Sequence, residues 1–345
     1  MEEKKLGLKS VISVSVGLVI ATSCLVSLGQ GAGTIGIAFI PAMIIACLLN
    51  MTTIASLSEL NALMPNTTGG LAQYTLACLG PFPTMISMVG GYLFCNILSC
   101  GVEASIFAYA MGEIFHLPIP NFSYTLIVTI VLLVANLRGV DMFAKIQDIV
   151  AYLMVASMVI MGIIGMLGLG TGKKVVQPLC MTTDWKQIVS MTAVAFWLFI
   201  GAEYVIPISK DVKNAKRNVP LGMFIGLSSI CQGMAKMNMM PQSFAKTNKH
   251  SVPYVGVWFV SILILVFAYI SNDSSDAISF FILVGSVFWM VSYIFAHIDV
   301  LILRHRLPKA PRSFKVPLGP LFPFIGIAGT VFMILNISTD ADAGI

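Results

Sequence analysis

The sequence predicts an all-α bundle of membrane-spanning helices, and three observations lead there. Of 345 residues, 57% are hydrophobic and only 10% are charged, where ordinary soluble domains carry about a quarter charged. No charge occurs between Lys9 and Glu59, a run long enough for two bilayer crossings at about 20 residues each. The apolar runs also lack the two-residue alternation of a barrel, so their backbone polar groups have to be satisfied inside helices.

Taken in order, apolar windows of sufficient length predict spans at Val11 to Leu28, Ile35 to Leu57, Met85 to Met111, Phe122 to Leu137 and Ile149 to Leu169. Four more follow at Ile188 to Ile208, Val252 to Ile270, Ala277 to Ile302 and Leu318 to Ile337. The short basic start, Met1 to Ser10, resembles the head of a secretory signal. The apolar stretch behind it is too long and more spans follow, so it reads as a retained first helix. One transmembrane domain over residues 1–345 is expected, set in a lipid bilayer.

Orientation follows from Lys and Arg, which cytoplasmic loops retain. With the N-terminus inside, Lys4, Lys5, Lys9, Arg138, Lys145, Lys210, Lys213, Lys216 and Arg217 are cytoplasmic. So are Lys236, Lys246, Lys249, Arg304, Arg306, Lys309, Arg312 and Lys315, which leaves only Lys173, Lys174 and Lys186 outside. This assignment exposes an anomaly. The clusters at Lys210 to Arg217 and Lys236 to Lys249 both demand the inside, yet only Leu221 to Cys231 lies between them. Eleven residues cannot cross and return. Either the stub is re-entrant or interfacial, or about two spans of sequence are absent between roughly Ser229 and Met234; we favour the second.

Net charge is only +5 and the basic residues fall in short clusters between apolar runs, so nucleic acid is not an expected partner. The seven cysteines form no C-x-x-C pair or paired framework and read as small hydrophobes. No H-E-x-x-H, G-x-S-x-G, P-loop lysine or metal-spaced cluster occurs, which leaves enzymatic chemistry without a catalytic constellation. Gly31 to Gly36 matches G-x-G-x-x-G, but it joins two apolar spans rather than following a strand, and is expected to be a flexible external turn.

Two segments carry polarity at membrane depth. Ala21-Thr22-Ser23-Cys24 puts four small residues, two of them hydroxylic, near the middle of the first span. Such residues let a helix unwind and offer main-chain and hydroxyl groups to a ligand; they equally suit close helix packing, with both hydroxyls bonded back to their own carbonyls. In Phe196 to Glu203, an acid follows a glycine inside an apolar run. Glu203 is either a functional group at membrane depth or a side chain reaching for the interface. Glu103 lies deep in the third span, while Glu59 and Asp299 are expected near cytoplasmic ends, at the interface.

Several motifs in order give the chain a resemblance. They are Gly17 to Cys24, Glu59-Leu60-Asn61 with Pro65 and Gly69-Gly70, Asn136 to Val140, Phe196 to Glu203, Val212 to Pro220, and the Pro-Arg-x-Phe-x-Val-Pro-Leu-Gly-Pro run within Arg304 to Pro320. In this order they resemble amino-acid permeases of the amino acid, polyamine and organocation superfamily. The resemblance implies a LeuT-type fold of two inverted five-helix repeats, here a first repeat of about 9–170, an incomplete second of about 186–303, and an extra helix of about 318–337. It implies an amino-acid substrate held where helices 1 and 6 are broken. Ala21, Thr22, Ser23 and Cys24 would line the carboxylate side, and Phe199, Ile200, Gly201 and Ala202 the amine side. Trp197 occupies the place of an aromatic lid, and Glu203 a place tied to gating or proton response.

Three departures qualify that expectation. Ala21-Thr22-Ser23 stands where the family has a glycine-rich core, which reduces the freedom to unwind. Met154 stands where some relatives carry a lysine that replaces a sodium ion, so coupling to H+, to Na+ or to neither stays open; no cofactor is expected. Most of helices 7 and 8, and helix 12, are missing by this comparison. The alternative to a transporter is therefore a truncated, non-transporting membrane protein or scaffold that keeps permease motifs.

Overall fold

A computed structural model describes residues 22–64, 71–137, 184–201, 252–271, 274–311, 315–316 and 318–337, with isolated positions in 149–167 and at 182, 243 and 246–248. The described chain is helical. α1 (Thr22–Ile35) leads through a 3-10 turn (Gly36–Ala38) into α2 (Phe39–Leu63). α3 (Leu71–Leu79) precedes α4 (Pro81–Phe115), which contains a π-helical stretch at Ile86–Phe94. α5 (Asn121–Leu137), α6 (Trp185–Phe196), α7 (Tyr254–Ile270), α8 (Ser275–Arg306) and α9 (Leu321–Leu335) complete it.

The long described helices overlap the expected spans, α3 falls on none of them, and the span expected at Ile149 to Leu169 lies almost wholly outside the described residues; two further differences lie at the start. α1 runs past Leu28 to Ile35, and the turn expected over Gly31 to Gly36 shrinks to Gly36–Ala38, where Gly36 takes φ 61°. Gly31 stays helical because it makes room for a neighbour: a Cβ there would sit 2.2 Å from the Phe39 ring. Residues 11–21 of the expected first span lie outside the described residues.

α2 shows why such sequences need lipid. Ile40, Ile44, Leu48, Met51 and Ile54 recur every three or four residues and are all exposed. The opposite stripe, Ala46, Asn50, Thr53, Ser56 and Glu59, is buried. Apolar side chains outward and polar side chains inward reverse the pattern of a soluble helix. α5 and α7 likewise expose Ile127, Ile130 and Val131, and Ile262 and Val266.

α8 is the central post, touching α2, α3, α4, α6 and α9. Its ends are well made: the Ser274 hydroxyl accepts from Ala277 N at 3.1 Å, Asp276 lies in the first turn, and Arg304, His305 and Arg306 in the last, the arrangement that suits the helix dipole. Trp289, Tyr293 and Met290 fill the core, with Phe196 edge-on to Tyr293 at 5.7 Å. The π-helical stretch of α4 packs on α8, where Gly91 admits Ser292; the Ser292 hydroxyl donates to Ser87 O at 2.7 Å. A widened turn leaves carbonyls free, and side chains of the bundle take them up.

Contacts fix the helix directions. Ser56 meets His297 and Glu59 meets Arg304, so α2 runs parallel to α8. Ser87 meets Ser292 and Cys95 meets Gly285, so α4 opposes α8. α7 runs with α4 through Ile97, Ile264, Gly101 and Phe267, and α5 opposes α4 through Thr125 to Ala104 O. α9 opposes α2, since Gly329 faces Leu49 and Gly326 faces Thr52. Asn248, beside Lys246, donates to Leu137 O at 3.0 Å at the end of α5, which places it on the side where α8 ends in Arg304 and Arg306. The chain is an integral membrane helix bundle whose described basic loop residues gather mainly on one side.

Candidate functional site

α6 stops inside the bundle. Asp184 caps its start, accepting from Lys186 N at 2.9 Å, and the helix tightens to a 3-10 turn at Trp197–Phe199. Ile200 is then extended with ψ 143°, and Gly201 takes φ 124°, a left-handed-side conformation that favours glycine. A helix that ends this way leaves its last carbonyls without intrahelical donors. One finds a donor across the bundle, as the Asn50 amide of α2 donates to Phe199 O. Ile200 and Gly201 are themselves buried.

Two further buried polar atoms belong to the elements around this break. Among the described residues, Asn50 Oδ1 has no hydrogen-bond partner, and neither has the hydroxyl of Ser27, 1% exposed on α1. α1 packs on both α6 and the Trp197–Phe199 turn. Bare buried acceptors cost about 1–3 kcal/mol each and mark a place where a polar partner fits.

Trp197 is 5% exposed and lies edge-on to Trp289 at 6.4 Å, while Tyr92 meets Trp289 at 5.8 Å. Gly285 provides the space: a Cβ there would be 3.4 Å from the Trp197 ring. The tryptophan is thus packed against α8. Phe199 is half-buried beside it.

The structure brings Trp197, Phe199, Ile200 and Gly201 together at the break. Thr22, Ser23 and Cys24 form the first described turn of α1, their backbone helical rather than unwound, with side chains outside the description. Ala21, Ala202 and Glu203 lie outside the described residues, as does the motif at Val212 to Pro220. Asn50 and Ser27 were missed by sequence reasoning, because an Asn or Ser within an apolar run carries no sign of which neighbour it faces.

Glu59 and Asp299 differ from the expectation of interfacial residues: both are 0% exposed. Glu59 accepts from Arg304 Nε at 2.9 Å and Nη2 at 2.6 Å, and from Val316 N at 2.7 Å. The neutralised pair is what lets a carboxylate enter the bundle. His297, also fully buried, meets Ser56 at 2.9 Å and Thr53 at 3.3 Å. Among the described residues no group of three His, Cys, Asp or Glu side chains is arranged to hold a metal ion.

Comparison with known proteins agrees with this architecture. A sequence model of the amino acid permease family matches residues 6–232 and 228–343. The chain is similar to a branched-chain amino acid permease of Bacillus subtilis (strain 168), 20% identical over 423 aligned positions that take in 97% of this chain and 88% of the relative. It is similar to a serine/threonine exchanger of the same organism, 28% identical over 117 residues, 33% of this chain and 25% of the relative. It is also similar to a D-serine/D-alanine/glycine transporter of Escherichia coli (strain K12), 25% identical over 171 residues, 46% of this chain and 36% of the relative. The first alignment is longer than the chain itself, 423 positions against 345 residues, so it opens gaps in this chain.

Proposed function

Because this chain belongs to the amino acid permease family, we propose that it carries amino acids across the cell membrane as a secondary active transporter or exchanger, with its N-terminus in the cytoplasm. The observation that carries this reading is the end of the described α6 at Ile200 and Gly201, both buried, with the Phe199 carbonyl turned to Asn50. Broken helices supply main-chain groups to a zwitterion without a charged side chain in the membrane. In this reading Phe199, Ile200, Gly201 and Ala202 receive the substrate's ammonium, and Ala21, Thr22, Ser23 and Cys24 its carboxylate. Trp197 closes over the substrate, and Glu203 governs opening. Asn50 and Ser27 add the two bare acceptors.

The mechanism is alternating access between two inverted repeats of about 9–170 and 186–303, with the segment at about 318–337 as an added helix. The gathering of basic residues at one end supports the cytoplasmic assignment of that end. Uptake or counterflow of each of the twenty amino acids in proteoliposomes tests the reading, and the absence of flux for all of them from a protein of full family length overturns it.

A second reading has its own support. The two family matches meet at residues 228–232, where the charge pattern fits either a re-entrant stub or two absent crossings, and the long alignment opens gaps in this chain. The chain then lacks two spans of the second repeat and does not complete the cycle. Sequencing the surrounding gene distinguishes the readings: a coding segment for two apolar spans interrupting the region of 229–234 favours a spliced or deleted form, and its absence favours a bundle that works without them.

A further inference from the structure

The end of the bundle shared by α2, α3 and α8 holds two buried acids, and their surroundings differ sharply. Glu59 faces a guanidinium and a main-chain N–H. Asp299, just over one turn before Arg304 on α8, is equally buried, yet its carboxylate meets only neutral donors, the Thr75 hydroxyl to Oδ2 at 2.7 Å and the Cys78 thiol. Oδ1 has no partner. The same Cys78 thiol also lies 3.7 Å from the main-chain carbonyl of Asp299.

No cation among the described residues balances Asp299. Arg304 is engaged by Glu59. Arg306, two turns along the same face, donates to Ala77 O at 3.3 Å. His297 turns to Ser56 and Thr53 on α2. From α3 the titratable groups are Cys78 and Tyr74, the latter turned to Asn61. α9 carries no charged residue, the π-helical stretch only Tyr92, and α6 only the exposed Lys186. Glu103 and Glu113 of α4 lie towards the opposite end, because α4 opposes α8.

A carboxylate in apolar surroundings with only neutral donors and no counter-ion among the described residues is costly, and the neutral acid is not. We propose that Asp299 is a proton-binding site that couples amino-acid movement to protons; the coupling half of this rests on the permease reading. Oδ1 takes a proton from water at the end of α8 that carries Arg306, about 10 Å along the helix at 1.5 Å per residue. The neutral acid then holds the closed packing of α8 on α3, and the proton returns to water on the other side when that packing opens. One proton enters and one leaves, with no redox partner.

The purified 345-residue chain tests this in two ways. Infrared spectroscopy is expected to show a carboxylic acid C=O band that grows on acidification, is absent from Asp299→Asn, and has a displaced titration in Thr75→Val. If no band depends on Asp299, or the band does not titrate, the proposal is overturned. In proteoliposomes loaded with mixed amino acids, an inward proton gradient is expected to stimulate uptake several-fold in the wild type and not in Asp299→Asn, which keeps counterflow at equal pH. Counterflow in the wild type without stimulation overturns the coupling. Absence of all counterflow overturns the permease reading for this chain instead, and the infrared result still decides whether Asp299 takes the proton.

Discussion

Arg304 closes on Glu59 through two hydrogen bonds, Nε to Oε1 at 2.9 Å and Nη2 to Oε2 at 2.6 Å, and so ties the end of α8 to the end of α2. The same guanidinium donates to Val316 O at 3.0 Å, and Val316 N donates back to Glu59. The connection from α8 to α9 is therefore fastened to the pair, ahead of the left-handed residues Leu318 and Gly319.

Breaking one half of this pair strands a buried charge. Arg304→Met is expected to destabilise the bundle by about 3–5 kcal/mol, read as a lowered unfolding temperature in detergent. Glu59→Leu combined with Arg304→Met recovers most of the loss, because no charge is left unpaired. If the single and double variants unfold alike, the pair has no such role.

Gly201 carries φ 124°, which a side chain opposes at about 1–3 kcal/mol. Gly201→Val is expected to keep the helical circular dichroism of the wild type and to lose counterflow. An unchanged transport rate means that the break is not part of the pathway.

Asn50→Leu removes the donor from Phe199 O and leaves that carbonyl bare at about 1–3 kcal/mol. The expected outcome is a substrate affinity weakened by roughly tenfold or more, the factor that corresponds to about 1.4 kcal/mol, with helix content retained. Isothermal binding of the transported amino acid checks it.

Glycines in this chain divide by what surrounds them. A Cβ on Gly326 would lie 2.2 Å from His297 Nε2 and 2.7 Å from Thr52 Oγ1, where α2, α8 and α9 meet. Gly326→Val is expected to cost about 1–3 kcal/mol or more through overpacking. Gly33, with nothing within 4 Å, accepts Gly33→Ala at no loss. Thermal unfolding of the two variants side by side separates these outcomes.

The apolar runs and their lengths determined that this chain is a helix bundle in lipid, because hydrocarbon allows a backbone only helices or a closed barrel, and the runs lack a barrel's two-residue alternation. The glycine and aromatic residues from Phe196 to Gly201 were also visible as a singular stretch. Tertiary structure decided the rest. Glu59 and Asp299 sit in similar apolar sequence, and only the packing of α2 and α3 on α8 gives one an arginine and the other a hydroxyl and a thiol. Asn50 acquires its partner 149 residues away, and Trp197 its place against Trp289. Such pairings depend on which faces of separate helices meet, and helical periodicity within one segment carries no record of the other.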